Sequence, residues 1–229
     1  MRSIILMDIE GTTTAIDFVH KTLFPYARTH MASFLEASAD LPEVRAALDD
    51  VAADLRAQGE AADDAAVRAA LVRWIDEDRK HGALKKLQGM IWVRGYREGH
   101  YRAHLYDDVQ PAWVRWRAAG KTLAIYSSGS VQAQKLLFGH TEYGDLNPML
   151  SAYFDTAVGH KREADAYRAI AHAMQTAPEA FLFLSDVEEE LDAARAAGMG
   201  TAQLVRPGTL AGDRHATFED FAAIDPDTL

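Results

Sequence analysis

Short apolar runs that lack alternation constrain this chain most. Residues 4–7, IILM, are apolar throughout and stop at turn residues, as a strand buried on both faces of a parallel sheet does. The stretches 121–126 (KTLAIY), 153–158, 181–184 (FLFL) and 201–205 (TAQLV) read as further strands. Helical patterns separate them: 109–118, closed by Gly120, then 130–138, 162–174 and 187–197, closed by Gly198. Strands alternating with helices predict an α/β fold built on a doubly wound, Rossmann-like parallel sheet.

Between about residues 15 and 105 the rhythm differs. Apolar residues recur at spacings of three and four over 29–36, 64–75 and 83–92, and Pro42 and Gly59 punctuate a region without strands. About ninety residues of helix between the first strand and the others read as an insertion. A length of 229 residues, 48% of them hydrophobic, suffices for a sizeable core. The net charge of −10 argues against non-specific nucleic-acid binding. The absence of cysteine excludes disulfides, thiolate zinc sites and cysteine nucleophiles. No apolar run approaches the roughly 18 residues of a membrane span, and Met1 leads almost directly into a strand, so neither a membrane nor a signal peptide is expected. A cytoplasmic monomer is the expectation.

The strand ends carry the chemistry. IILM runs into Asp8, with Glu10 two residues on and then Gly-Thr-Thr-Thr. The 121–126 strand runs into Ser127-Ser128, the 153–158 strand toward Lys161, and FLFL through Ser185 into Asp186. A parallel sheet brings these carboxyl ends to one edge. Burying acids there without a cation is costly, which points to a metal, a phosphate or both. Phosphoryl transfer uses this inventory well. Asp8 is the candidate nucleophile, forming an aspartyl phosphate, and Asp8 with Asp186 suit Mg²⁺. Ser127 and Lys161 suit phosphate oxygens, and Glu10 suits proton transfer to the leaving oxygen and from water. Other residues have plainer readings. Thr12, Thr13 and Thr14 are ordinary capping types, and Asp107-Asp108 and Glu188-Glu189 suit first helical turns. His20 and His160 read more readily as hydrogen-bonding scaffold, and Phe24, Trp92 and Tyr96 as core or pocket wall.

The order strand-Asp-x-Glu-Gly-Thr, strand-Ser, Lys, strand-Asp resembles the haloacid dehalogenase superfamily. More narrowly, DIEGTTT with FVHKTLFPYA, IYSSGSVQAQKLLFGH, GHK and LQGMIW resembles the enolase-phosphatases (acireductone synthases) of methionine salvage, over nearly the whole chain. The resemblance implies a core of 1–14 with 106–229 and a helical cap of 15–105. It implies Mg²⁺ held by Asp8, by the backbone carbonyl of Glu10 and by Asp186, with phosphate bound by Ser127, Ser128 and Lys161. Glu190 would support the metal's waters. The superfamily usually carries aspartate where this chain has Glu10, a departure shared by the enolase-phosphatases. The implied substrate is a small phosphorylated diketone, 2,3-diketo-5-methylthiopentyl 1-phosphate, which is enolised and then dephosphorylated. The residues leave two alternatives open: another small-metabolite phosphatase or mutase of the superfamily, and a non-catalytic phosphometabolite sensor.

Overall fold

The computed structural model describes residues 1–229. Its strands are β1 (Ile4–Met7), β2 (Thr122–Tyr126), β3 (Ala152–Phe154), β4 (Phe181–Ser185), β5 (Gly200–Leu204) and β6 (Ala216–Phe218). They form one parallel sheet in the order β3-β2-β1-β4-β5-β6. The two central strands are β1 and β4, and Met7 of β1 is level with Ile125 on one side and Leu184 on the other. From β1 the chain winds outward through β2 to β3, then crosses back to β4 and winds outward the other way. That reversal makes the β1–β4 boundary the topological switch point, where such sheets open a crevice at their carboxyl ends. The uniform apolarity of β1 and β4 follows from position: Ile5, Leu6, Met7 and all of Phe181–Leu184 are fully buried.

The chain divides into two compact units, Met1–Phe18 with Arg102–Leu229, and Val19–Tyr101. The first contains the sheet and the short α1 (Ile16–Phe18). The second opens with a π-helical turn, Val19–Leu23, and continues as α2 (Phe24–Ser38), α3 (Pro42–Ala57), α4 (Asp64–Asp76) and α5 (Gly82–Glu98). Local chemistry sets those boundaries. Pro42 occupies the first turn of α3, where its missing N–H costs nothing. The Asp63 carboxylate accepts from the Ala66 N–H to cap α4, and Gly99 closes α5 in the left-handed region at φ 72°. The four apolar faces meet in one core around Leu35, Val51, Leu71, Trp74 and Leu87. No helix of the protein is long and apolar enough to cross a membrane.

The remaining helices, α6 (Val109–Ala118), α7 (Val131–Gly139), α8 (Ala164–Ala173) and α9 (Glu188–Ala196), belong to the first unit. Trp113 of α6 packs against Phe138 of α7 and donates its indole N–H to Met7 Sδ at 3.1 Å. Tyr167 of α8 packs edge-on against Tyr126 and Phe183. Two details depart from the sequence pattern. The 153–158 stretch is strand only to Phe154. Its Asp155 carboxylate accepts from the Ala157 N–H and starts a 3₁₀ turn over Thr156–Val158, which ends at Gly159 with φ 137°. The edge strand β6 was not foreshadowed, because Ala216 and Thr217 are exposed and leave no apolar run to read.

Candidate active site

Asp8 follows β1 directly, and its N–H donates to the Leu184 carbonyl at 2.9 Å, extending the β1–β4 ladder by one step. Its side chain is buried, with the residue 6% exposed. Beyond it the chain closes into a tight turn. The N–H groups of Thr12, Thr13 and Thr14 all donate to the Ile9 carbonyl, and the Gly11 N–H donates to the Thr14 carbonyl at 2.8 Å. Gly11 is required here twice over: its φ of 69° lies in the left-handed region, and a Cβ would overlap the Asp186 carboxyl group. The turn that carries Glu10 therefore presses directly on Asp186. The three threonines are fully buried and none caps a helix; Thr13 and Thr14 brace the turn through their hydroxyls, whereas Thr12 Oγ1 has no partner. Thr13 Oγ1 reaches the Ile9 and Asp8 carbonyls at 3.2 and 3.3 Å, and Thr14 Oγ1 donates to the His104 carbonyl.

Lys161 brings its ammonium into this edge from the loop after β3. Its Nζ lies 2.6 Å from Asp8 Oδ1 and 2.6 Å from Glu190 Oε2. Burial alone would favour the neutral amine, but the two carboxylates hold its pKa above the usual lysine range. The loop is itself fixed by two tyrosines. Tyr167 donates to the Lys161 carbonyl at 2.7 Å and Tyr126 to the Gly159 carbonyl at 2.9 Å. Burial and the Asp8 charge push the Glu190 carboxyl upward, and Ser185 Oγ donates to it at 3.1 Å. The observed partner of Glu190 is thus Lys161, an arrangement that its spacing from Asp186 does not announce.

Asp186 follows β4. Its Oδ1 is buried and has no hydrogen-bond partner, and burial, followed by the Asp8 charge, pushes its pKa up to about 7. An acid desolvated beside a second acid, with one oxygen orphaned, is the electrostatic problem that a divalent cation resolves. No three His, Cys, Asp or Glu side chains gather into a ligating cluster anywhere in the protein. A soft or borderline metal that wants three or four protein side chains is therefore a poor fit. A hard cation that takes two carboxylates and completes its shell with backbone oxygen, water and phosphate suits these residues, which is the habit of Mg²⁺.

Ser127 follows β2, one step beyond the level of Asp8, and is 5% exposed. Its N–H donates to the Phe154 carbonyl at 3.1 Å, and its Oγ accepts from the Gly129 N–H at 3.3 Å. Ser128 is exposed. Glu10 is half-buried on its turn. Three buried polar residues escaped the sequence reading. Gln134 donates to the Gly129 and Phe154 carbonyls and so fixes the Ser127 loop. Gln203 donates to the Asp186 carbonyl at 2.9 Å, and Arg206 donates through Nε to the Thr12 carbonyl at 3.2 Å. Only Gln203 left a signal, as an amide inside an otherwise apolar strand. Asp108 stands at the start of α6 but does not cap it, because Arg206 and the Phe221 N–H occupy its carboxylate.

The other candidates take scaffold roles within their own units. His160 is exposed, and its Nδ1 accepts from the Arg162 N–H. His20 meets Phe24 edge-on, and Phe24 stacks on Trp92, whose indole N–H donates to the Leu23 carbonyl. Tyr96 is buried, 5% exposed. A cavity of about 330 Å³ in the helical unit, lined by residues including Tyr26, His30, Phe34, Arg94 and Glu98, contains none of the acidic-edge residues.

The family model of haloacid dehalogenase-like hydrolases matches residues 3–198. An enolase-phosphatase E1 of Sorangium cellulosum is 53% identical over 224 residues, which cover 97% of each chain. One of Methylococcus capsulatus is 51% identical over 98% of each. Among solved structures, the UTR4 protein of Saccharomyces cerevisiae superposes with a TM-score of 0.82 at 32% identity, covering 98% of this chain and all of that one. CbbY of Rhodobacter sphaeroides, at 18% identity and a TM-score of 0.60, shares the fold. An aspartate at the sheet's switch point, a lysine on its carboxylate and a second acid behind it stand in a chain that aligns end to end with these relatives, and the chain belongs to the enolase-phosphatase family of haloacid dehalogenase-like hydrolases.

Proposed function

We propose that the protein converts 2,3-diketo-5-methylthiopentyl 1-phosphate to the acireductone 1,2-dihydroxy-3-keto-5-methylthiopentene, by enolisation followed by dephosphorylation. The observation that carries this reading is the contact of Asp8 Oδ1 with Lys161 Nζ at 2.6 Å, beside Asp186, whose Oδ1 is buried and without a hydrogen-bond partner. In the enolisation the carbon bearing the phosphate ester loses a proton and the neighbouring carbonyl oxygen gains one. In the transfer Asp8 attacks phosphorus, the bond from phosphorus to the enol oxygen breaks, and Glu10 protonates the departing oxygen. Glu10 then takes a proton from water, the water attacks phosphorus, and the bond to Asp8 breaks to release inorganic phosphate. Lys161 offsets the charge of Asp8 as the anionic ester approaches and, with Ser127 and Ser128, binds phosphoryl oxygens. The Asp8 and Asp186 carboxylates and the Glu10 carbonyl would hold Mg²⁺, which when bound supplies positive charge to the phosphoryl oxygens and to the developing enolate. The helical unit Val19–Tyr101 serves as the cap that selects the substrate's apolar end.

The test is Glu10→Gln, which keeps the backbone carbonyl and removes only the side-chain acid. The diketone phosphate is supplied with Mg²⁺ while enol absorbance and phosphate release are followed together. The variant is expected to accumulate the enol phosphate with little phosphate freed, whereas the wild-type chain releases phosphate stoichiometrically. Loss of both signals, with substrate still bound, would make Glu10 the shared acid-base residue of both steps. No phosphate release by the wild-type chain would overturn the reading itself.

A further inference from the structure

Arg206 is the most deeply buried arginine of the sheet-bearing unit, 5% exposed, and it touches no group assigned a chemical task above. It lies just beyond β5. Its Nη1 and Nη2 meet both Asp108 carboxylate oxygens, at 2.8 and 2.7 Å. Nη1 also donates to the Glu219 carbonyl at 3.0 Å. The guanidinium packs over the rings of Tyr106, 4.2 Å from the centroid, and Phe221, at 5.3 Å. The fifth donor, Nε–H, points elsewhere, to the Thr12 carbonyl at 3.2 Å. Thr12 lies in the turn that begins at Ile9 and carries Glu10, immediately after Asp8.

That turn has other long-range ties as well. Its internal bonds all converge on the Ile9 and Thr14 carbonyls, and these define its shape without fixing where it sits. External ties come from the Tyr106 N–H to the Thr13 carbonyl at 3.1 Å, from Thr14 and Ala15 to His104, and from Arg206. Of these, only Arg206 brings a group locked by a bidentate ion pair and two aromatic faces. An arginine held on four sides has little rotamer freedom left, so its Nε–H is a fixed point.

We propose that Arg206 is a positioning residue of the phosphoryl-transfer site: through its Nε–H bond to the Thr12 carbonyl it fixes the Ile9–Thr14 turn, and with it Asp8 and Glu10. This rests on the assignment of Asp8 and Glu10 to chemistry made under the proposed function. Asp108 serves it indirectly, by orienting the guanidinium. The geometry also separates two roles that truncation would confound. Charge balance inside the fold requires a cation opposite Asp108. The anchor on Thr12 requires a guanidinium, because a lysine carries its three donors on one terminal nitrogen, and with that nitrogen on the Asp108 carboxylate no second nitrogen lies back along the stem, where Nε reaches the turn.

Arg206→Lys and Asp108→Asn therefore form the test, each compared with the wild-type chain in melting temperature, in kcat and KM for phosphate release, and in amide hydrogen exchange over residues 9–14. Arg206→Lys is expected to keep KM within about twofold and to lower kcat about tenfold or more, the size that small misplacements of reacting groups produce. It should also speed exchange of the Thr12–Thr14 amides. Asp108→Asn keeps the guanidinium and its Nε–H, so kcat should fall less than about threefold even though the melting temperature drops at least as far as in Arg206→Lys. The double replacement Arg206→Met with Asp108→Leu removes the pair without leaving a buried charge. It guards against misfolding of the single variants, and it should show the kcat loss and faster exchange of Arg206→Lys. Wild-type kcat and exchange in Arg206→Lys, or kcat losses that simply track melting temperature across the set, would overturn the proposal. The exchange measurement uses no substrate, so a wild-type chain inactive on the diketone phosphate would refute the assigned reaction while the anchoring role is still decided.

Discussion

The two units solve burial in opposite ways. Of the buried polar or charged side chains, only Gln88 lies within Val19–Tyr101. All the others, including Asp8, Lys161, Glu190, Ser185, Gln203 and Arg206, belong to the sheet-bearing unit. The helical unit buries hydrocarbon and keeps its ion pairs outside, as with Arg28 and Asp76 or Arg94 and Glu98. Exposed pairs of that kind contribute little to stability. The sheet-bearing unit instead draws three carboxyl groups and an ammonium into the carboxyl edge of its sheet. The difference is informative: desolvated charge costs stability wherever it occurs, and it is confined to one unit, with Asp8, Lys161 and Glu190 gathered at the carboxyl edge of its sheet.

Asp8→Asn should break this contrast most severely. The variant remains folded, because the amide is nearly isosteric, but phosphate release is expected to fall at least about 10³-fold, since an amide cannot serve as the nucleophile. Turnover within about tenfold of wild type would remove Asp8 from the covalent step. Lys161→Ala comes next. It leaves Asp8 and Glu190 buried without a cation, so it should cost about 3–5 kcal/mol of stability together with a fall of about 10²-fold or more in kcat/KM. A stable variant with ordinary kinetics would show that the ammonium neither balances the acids nor meets phosphate.

A smaller, pH-dependent effect sharpens the contrast. Burial and the Asp8 charge push the Asp186 pKa up to about 7, so Mg²⁺ held there, as proposed, would displace a proton below that value. Its affinity should weaken by up to about tenfold per pH unit as pH falls from 7, and level off above it. Stability without the metal changes in the opposite sense. A carboxyl group whose folded pKa exceeds its unfolded value loses stability as pH rises through the interval between them, up to about 7. Added Mg²⁺ should therefore raise the melting temperature more at pH 8 than at pH 5, and equal shifts would show that Asp186 does not hold the ion. The smallest effect on chemistry belongs to the helical core. Leu71→Ala should cost about 2–5 kcal/mol of stability yet change kcat less than about twofold at a temperature where the variant is folded, which thermal melts and assays on one sample check.

What could be read in the chain beforehand follows the same divide. The strands β1, β2 and β4 are legible because two-sided burial demands apolar runs, and β5 is legible in TAQLV even though Gln203 interrupts it. Asp8, Ser127 and Asp186 are legible because each ends such a run. Lys161 is harder to place: the 153–158 stretch leads toward it, but the strand stops at Phe154, and the 3₁₀ turn and Gly159 intervene. Arg206 and Gln134 leave no pattern at all. Their partners are backbone carbonyls, which carry no side-chain identity, and Asp108 and Thr12 lie far from Arg206 in sequence. Short-range spacing reports on strands and helices, whereas the bracing of a site comes from long-range contacts that spacing does not encode.

The central position of β1 has a consequence for how the chain is made. Ile4 leaves the ribosome well before its ladder partners, Thr122 and Phe181. The helical unit is continuous, has its own core, and is complete at Tyr101 before either partner strand exists. Folding during synthesis therefore begins with the insert, while IILM waits as an unpaired apolar edge tethered to a structure already formed. Closure of the sheet is the late, high-contact-order event. Asp8 acquires its lysine only after synthesis has passed residue 161.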